Sequence, residues 1–202
     1  MFIMDFSKKE QATRSSWPLW SILAICVLPI IAGTAFYFLW TPTHFVNHGE
    51  LLKPVPLAEV ALNQADGGTF TFSALNPNWS FVSIDDGICD ENCRKKLYLM
   101  RQIRLTQGKD AERIERVWLI RDGVQASAHD LAGFEGTRVV VLATGQPLGR
   151  FAPNGNVTDY IFLVDPFGNL MMRFSLDTDP SMIKKDIAKL LRISSGWRQI
   201  DR

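Results

Sequence analysis

From Ser15 to Thr43 the chain carries no charged side chain, and the centre of that span reads WPLWSILAICVLPIIAGTAFYFLW, Trp17 to Trp40. A membrane-spanning helix needs about 20 mostly apolar residues, so a run of this length dictates how everything else must be arranged. Trp17 and Trp20 at one end, and Tyr37 and Trp40 at the other, suit the aromatic belts found at the two membrane interfaces. Pro29 falls in the middle, where a membrane helix tolerates it. A cleaved signal peptide has a shorter apolar region of about 7–15 residues. Here the run continues through Phe36, Phe38 and Leu39, so we read it as an anchor. Lys8, Lys9 and Arg14 precede it, and the positive-inside rule then leaves the N-terminus in the cytoplasm. The rest of the chain is expected outside, in the periplasm of a bacterium, tied to the inner membrane by one pass.

Once Asp5, Lys8, Lys9, Glu10 and Arg14 are set aside, the remaining chain has as many acidic as basic side chains. It shows no basic stripe of the kind that nucleic acid requires. The exported part, about 160 residues, is long enough for one domain with a core. Of the three cysteines, Cys26 lies in the apolar run, where an inert role is the default. Cys89 and Cys93 are the pair left to the exported part, and in an oxidising compartment two nearby thiols pair unless a reductant or a metal prevents it.

Past the apolar run, Thr41 to Leu57 contains Pro42, Pro54 and Pro56 and reads as an extended tether. GGTFTFSAL, Gly67 to Leu75, alternates like a short hairpin strand. WSFVSI, Trp79 to Ile84, is a buried strand. Cys89 to about Thr106 is read as helical, with Leu97, Met100 and Ile103 inward and Arg94, Lys95, Lys96 and Arg101 on the solvated faces. RVWLI, Arg116 to Ile120, and TRVVVLAT, Thr137 to Thr144, are further strands. DYIFLVDPFGNLMMRFS, Asp159 to Ser175, is a hairpin turning at Asp165-Pro166-Phe167-Gly168. Asp179-Pro180-Ser181 opens a last helix, Pro180 suiting its first position. The tail GWRQIDR, Gly196 to Arg202 with Trp197, reads as packing or disorder rather than a site.

Strand, cysteines at a helix start, strand, helical insert, hairpin, helix: this order resembles a thioredoxin-like domain, an α/β fold with a central sheet flanked by helices. The CDENC spacing, the strand before it, the helix RKKLYLMRQIR and the closing YIFLVDPFGNLMMRF resemble the Sco/SenC family over about residues 60–192. The segments expected are a cytoplasmic stretch over 1–16, the membrane helix over 17–40, a tether over 41–59, the thioredoxin-like domain over 60–192 and a tail over 193–202. The resemblance implies a single-pass membrane protein assisting copper-site assembly in cytochrome c oxidase, with the copper subunit as a cysteine-containing partner. It also implies Cu(I) ligands, carried over here for Cys89 and Cys93. The family's histidine ligand would fall near Val157, in NGNVTDY, where this chain has none. His44, His48 and His129, and the soft but core-type Met100, Met171 and Met172, are the remaining donors considered for a third ligand.

Two thiols at i and i+4 on a helix share a face, with Cα atoms about 6 Å apart, within reach of a disulfide. They also make a soft two-point site for Cu(I). Asp85, Asp86, Asp90 and Glu91 surround the pair and disfavour thiolate, which suits a reductant more than a strong oxidant. Three readings stay open. One is a thiol–disulfide oxidoreductase using Cys89 and Cys93, with Cys89, expected to be the more exposed, as attacker. Another is a Cu(I) metallochaperone with an unusual third ligand. The last is a non-catalytic assembly protein on the same scaffold.

Overall fold

The computed structural model describes residues 17–39, 47–152 and 155–199. The chain separates into two compact units, Met1–Val46 and Asn47–Arg202.

In the first unit, α1 spans Trp17–Leu39, with Pro29 inside it. It is long and apolar enough to cross a membrane. Its backbone pairs internally, and the Thr34 hydroxyl donates to the Ile30 carbonyl at 2.7 Å, so its polar groups are compatible with hydrocarbon.

The second unit begins with β1, Glu50–Pro56, followed by the two-residue strands β2, Leu62–Asn63, and β3, Thr69–Phe70. Then come β4, Trp79–Asp85, α2, Glu91–Leu105, and β5, Ile114–Ile120. The short α3, Ala128–Gly133, leads to β6, Arg138–Val141. The hairpin of β7, Tyr160–Val164, and β8, Asn169–Ser175, precedes α4, Pro180–Ile193. Six strands form one sheet in the order β1-β8-β7-β4-β5-β6. β4, β5 and β6 run parallel, while β7 is antiparallel to β4 and β8 to β7. β4 is buried at every position, as a strand covered on both faces must be.

One face of the sheet packs against α2 and α4 through Leu97, Met100, Ile103, Ile183, Ile187 and Leu191. The other is covered by Phe70, Phe72, Leu75 and Phe151, with Phe151 edge-on to Phe162 at 5.3 Å between ring centres. The mixed α/β sheet flanked by helices agrees with the fold expected from the sequence. The hairpin turns where expected: the Asp165 carboxylate accepts the amides of Phe167 and Asn169 at 2.9 and 2.8 Å. Gly168 takes φ +81° there, and a Cβ on it would stand 2.7 Å from that of Ala58. Asp179 caps α4 through the Ser181 amide at 2.8 Å, with Pro180 in the first turn.

Two segments differ from the sequence reading. Glu50–Pro56, within the stretch read as a tether, is an edge strand paired with β8. Its two prolines are tolerated because an edge strand leaves one side of its backbone unpaired, and Arg173 clamps it to Glu50 at 2.8 Å. Gly67–Leu75 is not one strand. Thr69–Phe70 pairs with Leu62–Asn63, and Phe72–Leu75 turns as a 3₁₀ helix that buries Phe72 and Leu75. Alternation of Phe70 and Phe72 reports burial of both rings, not a continuous ladder. The readings of His44 and of the tail from Trp197 fall outside the described side chains.

Leu97, fully buried between α2 and the sheet, should cost about 2–5 kcal/mol when truncated in Leu97→Ala. Asp179→Ala, which removes only a cap, should cost about 1 kcal/mol. Urea unfolding of both variants beside the wild type measures the difference.

Candidate functional site

The site lies at the C-terminal end of β4, beside the point where the sheet changes from parallel to antiparallel neighbours. Open α/β sheets place their sites at such an edge. β4 ends at Asp85, and the chain turns through Asp86-Gly87-Ile88 to Cys89. The Gly87 amide donates to the Asp122 carboxylate at 3.1 and 3.2 Å. A Cβ on Gly87 would stand 2.3 Å from the Val124 carbonyl oxygen, so a glycine is required for the two loops to meet. Asp90 caps α2 by accepting the Cys93 amide at 2.8 Å.

Cys89 and Cys93 form a disulfide, with Cα atoms 5.3 Å apart. The sequence reading started the helix at Cys89. The structure starts it at Glu91, because Asp90 is the capping residue. Cys89 therefore lies outside the helix and Cys93 in its first turn. The expectation that Cys89 is the more exposed is also overturned: the two are 2% and 1% exposed. Both pack into the cluster formed with Leu97, Trp118 and Ile120. What stands out to solvent is their neighbour, Ile88, at 81%.

A larger correction concerns the basic run. Arg94 and Lys95 are exposed, but Lys96 is completely buried. Its ammonium donates to Asp85 Oδ1 at 2.6 Å, to the Thr158 carbonyl at 2.6 Å and to the Ile84 carbonyl at 3.5 Å. The Ser83 hydroxyl donates to the other Asp85 oxygen at 2.5 Å. Burial pushes the Asp85 carboxyl up and the Lys96 ammonium down, each opposed by its partner. The spacing could have shown this. Lys96 is three residues after Cys93 and four before Met100, on the inward stripe of α2.

The four carboxylates near the cysteines are thus not four free charges. Asp85 is held by Lys96, Asp86 by Arg121 at 2.8 Å, and Asp90 by the helix start. Glu91 points to solvent. Cys93 lines a small cleft of about 150 Å³ with Asp85, Asp86, Ile88, Asp90, Arg121 and Asp159 among its walls. Arg94, on the outer face of α2, reaches Asp130 of α3 at 3.2 Å. Hydrogen bonds from Ser127 and Arg94 hold the Asp130 carboxyl below the usual range.

The donors considered for a third metal ligand do not gather here. Thr158 and Asp159 face the cleft, whereas Val157 packs toward the opposite core cluster. The position of the family's histidine is therefore close to the cleft but turned from it. His129 and His48 are exposed. Met100 and Met172 are buried among core side chains, with Met171 packed against them. Among the described residues no three His, Cys, Asp or Glu side chains form a metal-holding group. Joined in a disulfide, the two sulfurs offer no thiolate to copper; only the reduced pair could hold it, as a two-sulfur site.

The fold and the cysteine pair define a thioredoxin-like protein. A family model described as "Transmembrane-like, thioredoxin-like, C-terminal domain" matches residues 79–194, more than half of the chain, and the chain belongs to that family. Its fold is that of the Sco proteins. The structure of yeast Sco1 with copper bound superposes with TM-score 0.54 at 16% identity, covering 70% of this chain and 95% of that one. The apo Sco1 of Thermus thermophilus superposes at 0.50 and 17% identity, covering 76% and 99%. No curated protein matches the chain.

Lys96→Met leaves Asp85 buried without its cation and should destabilise the protein by about 3–5 kcal/mol. Lys95→Met, on the exposed side, should stay within about 0.5 kcal/mol. Paired urea titrations measure both, and equal effects would contradict a buried Lys96.

Proposed function

We propose that this chain is a membrane-anchored thiol–disulfide oxidoreductase in which Cys89 and Cys93 are the redox pair. The observation that carries the reading is the disulfide's position. It closes the start of α2 at the C-terminal sheet edge, with Cys93 in the wall of a charged cleft. As a staple it would contribute little, since so short a loop constrains little of the unfolded chain. A reduced pair would attack a partner's disulfide through one thiolate. The mixed disulfide would then be resolved by the second thiol, leaving the partner as a dithiol and this pair as the disulfide. A dithiol donor would restore it. Lys96 and Arg121 offset Asp85 and Asp86, so thiolate is less disfavoured than the four acids alone imply.

The same reading takes α1 as the anchor, with the N-terminus cytoplasmic and the cysteine domain periplasmic. It takes the partner as a cysteine-containing protein, the copper subunit of cytochrome c oxidase being the one that the Sco-type fold suggests. The copper-chaperone alternative rests on relatives such as yeast Sco1, described with copper bound. Here Cu(I) would be cargo, held by Cys89 and Cys93 after reduction, with a third donor from the partner.

The test of the main reading is thiol trapping after equilibration of the full chain in glutathione buffers. A reversible two-electron transition of the Cys89–Cys93 pair is expected, and Cys89→Ser and Cys93→Ser should each accumulate mixed disulfides through the cysteine that remains. A pair that cannot be reduced without unfolding the protein would make the disulfide structural.

Competition of the reduced protein with a calibrated Cu(I) chelator separates the alternative. Weak binding, unaffected by His129→Ala, is expected because two sulfurs leave the coordination open. Tight binding that disappears in His129→Ala would put the chaperone first.

A further inference from the structure

The sheet face that carries α2 holds a second polar feature, away from the disulfide cleft. Ile114, Arg116, Trp118 and Ile120 alternate on β5 and share one side of the sheet, and Ile114, Trp118 and Ile120 belong to its core cluster. Arg116 is 4% exposed and Trp118 1%. Val117 pairs with Arg138 and Trp118 with Val139, which sets Thr137 beside Arg116. Among the described residues, the buried side-chain atoms with no hydrogen-bond partner are Arg116 Nε and Nη1, Trp118 Nε1 and Thr137 Oγ1. All four come from this one corner, and all four can donate.

The other buried cations are satisfied. Lys96 has Asp85 and the Thr158 carbonyl. Arg113 has the Leu191 carbonyl at 2.7 Å and the Ser194 carbonyl and hydroxyl at 3.0 and 2.9 Å. Arg116 has a single acceptor, the Glu135 carbonyl, reached through Nη2 at 2.5 Å. Its guanidinium sits against the turn before β6, where a Cβ on Gly136 would stand 3.0 Å from Nη2.

More positive charge comes from α2. Arg104 Nε donates to the Ile114 carbonyl at 2.8 Å, which brings that side chain to the start of β5. Arg101 lies one turn earlier and is exposed. Burial lowers the Arg116 pKa, Arg104 and Arg101 lower it further, and Glu115 is the carboxylate that opposes them. None of the three arginines forms an ion pair among the described residues. A buried guanidinium with donors unmet costs several kcal/mol unless an acceptor is supplied.

We propose that the corner formed by Arg116, Trp118 and Thr137, with Arg101 and Arg104 at its rim, binds a small tetrahedral oxyanion of the phosphate class. The donors come from two side chains of β5, from the residue just before β6 and from a neighbouring helix. That spread suits a tetrahedral anion with several acceptor oxygens better than a planar carboxylate, which a single guanidinium fork satisfies. Trp118 also belongs to the core cluster that holds the two cysteines, but none of Arg116, Trp118 and Thr137 lines the disulfide cleft and the proposal does not depend on the redox reading.

Calorimetric titration of the full chain in a phosphate-free maltoside detergent, with inorganic phosphate as the probe, tests this. Saturable binding is expected, absent with sodium chloride at matched ionic strength. Arg101→Gln, at an exposed position, should weaken it about tenfold, the loss that goes with one charge-assisted hydrogen bond. Arg116→Met should abolish it, and Arg138→Gln, an exposed arginine on the neighbouring strand, should leave it unchanged. No saturable heat with phosphate, an equal response to chloride, or wild-type affinity in Arg101→Gln would each overturn the proposal. Should Arg116→Met fail to fold, Arg101→Gln and Arg138→Gln decide between a specific site and general charge.

Discussion

The ammonium of Lys96 holds together the parts that surround the cysteines. It comes from α2, donates to the carboxylate that ends β4, and is completely buried. Its third contact, to the Thr158 carbonyl, fixes the turn that precedes the closing hairpin. Strand end, helix start and loop are thereby set around one charge. Such a pair adds little net stability compared with a well-packed apolar core, but losing either partner strands the other ion in a poor environment. The geometry of the cleft is therefore bound to an interaction that cannot be removed piecemeal.

The parts of this arrangement legible in the sequence were those governed by pattern. The uncharged span gave α1, the apolar run of β4 gave its buried strand, and Asp165-Pro166-Phe167-Gly168 gave the hairpin turn. Asp179 followed by Pro180 marked the start of α4. The parts that were not legible depend on individual side chains set against their usual tendencies. Lysine is almost never fully buried unless paired, so a basic run read as solvent-facing concealed Lys96. Prolines at 54 and 56 argued for a tether, and only pairing with β8 shows that they lie on a sheet edge. Asp90 as a cap moved the helix start past Cys89, and with it the two cysteines left the shared helical face assumed for them.

The same division explains how this chain can share the Sco-type fold at 16–17% identity. The sheet and its two covering layers tolerate many apolar sequences of suitable size and period. The site does not. Near the position where the resemblance called for an imidazole, this chain directs Thr158 and Asp159 to the cleft and turns Val157 into the core. Deep in the same region lies the buried pair of Lys96 and Asp85.

The burial of both sulfurs has a kinetic meaning. A disulfide on an open surface reacts with whatever thiol is most abundant. One that is 1–2% exposed reacts only during the fraction of time when its surroundings part, and opening equilibria of this kind differ widely between regions of one protein. The Ile88 side chain stands almost wholly in solvent beside Cys89, an apolar contact that, on the redox proposal, a partner protein could engage and a small thiol could not. If the pair is the redox centre proposed above, burial would act as a gate on identity, slowing exchange with the bulk thiol pool relative to a protein that brings its own contact surface.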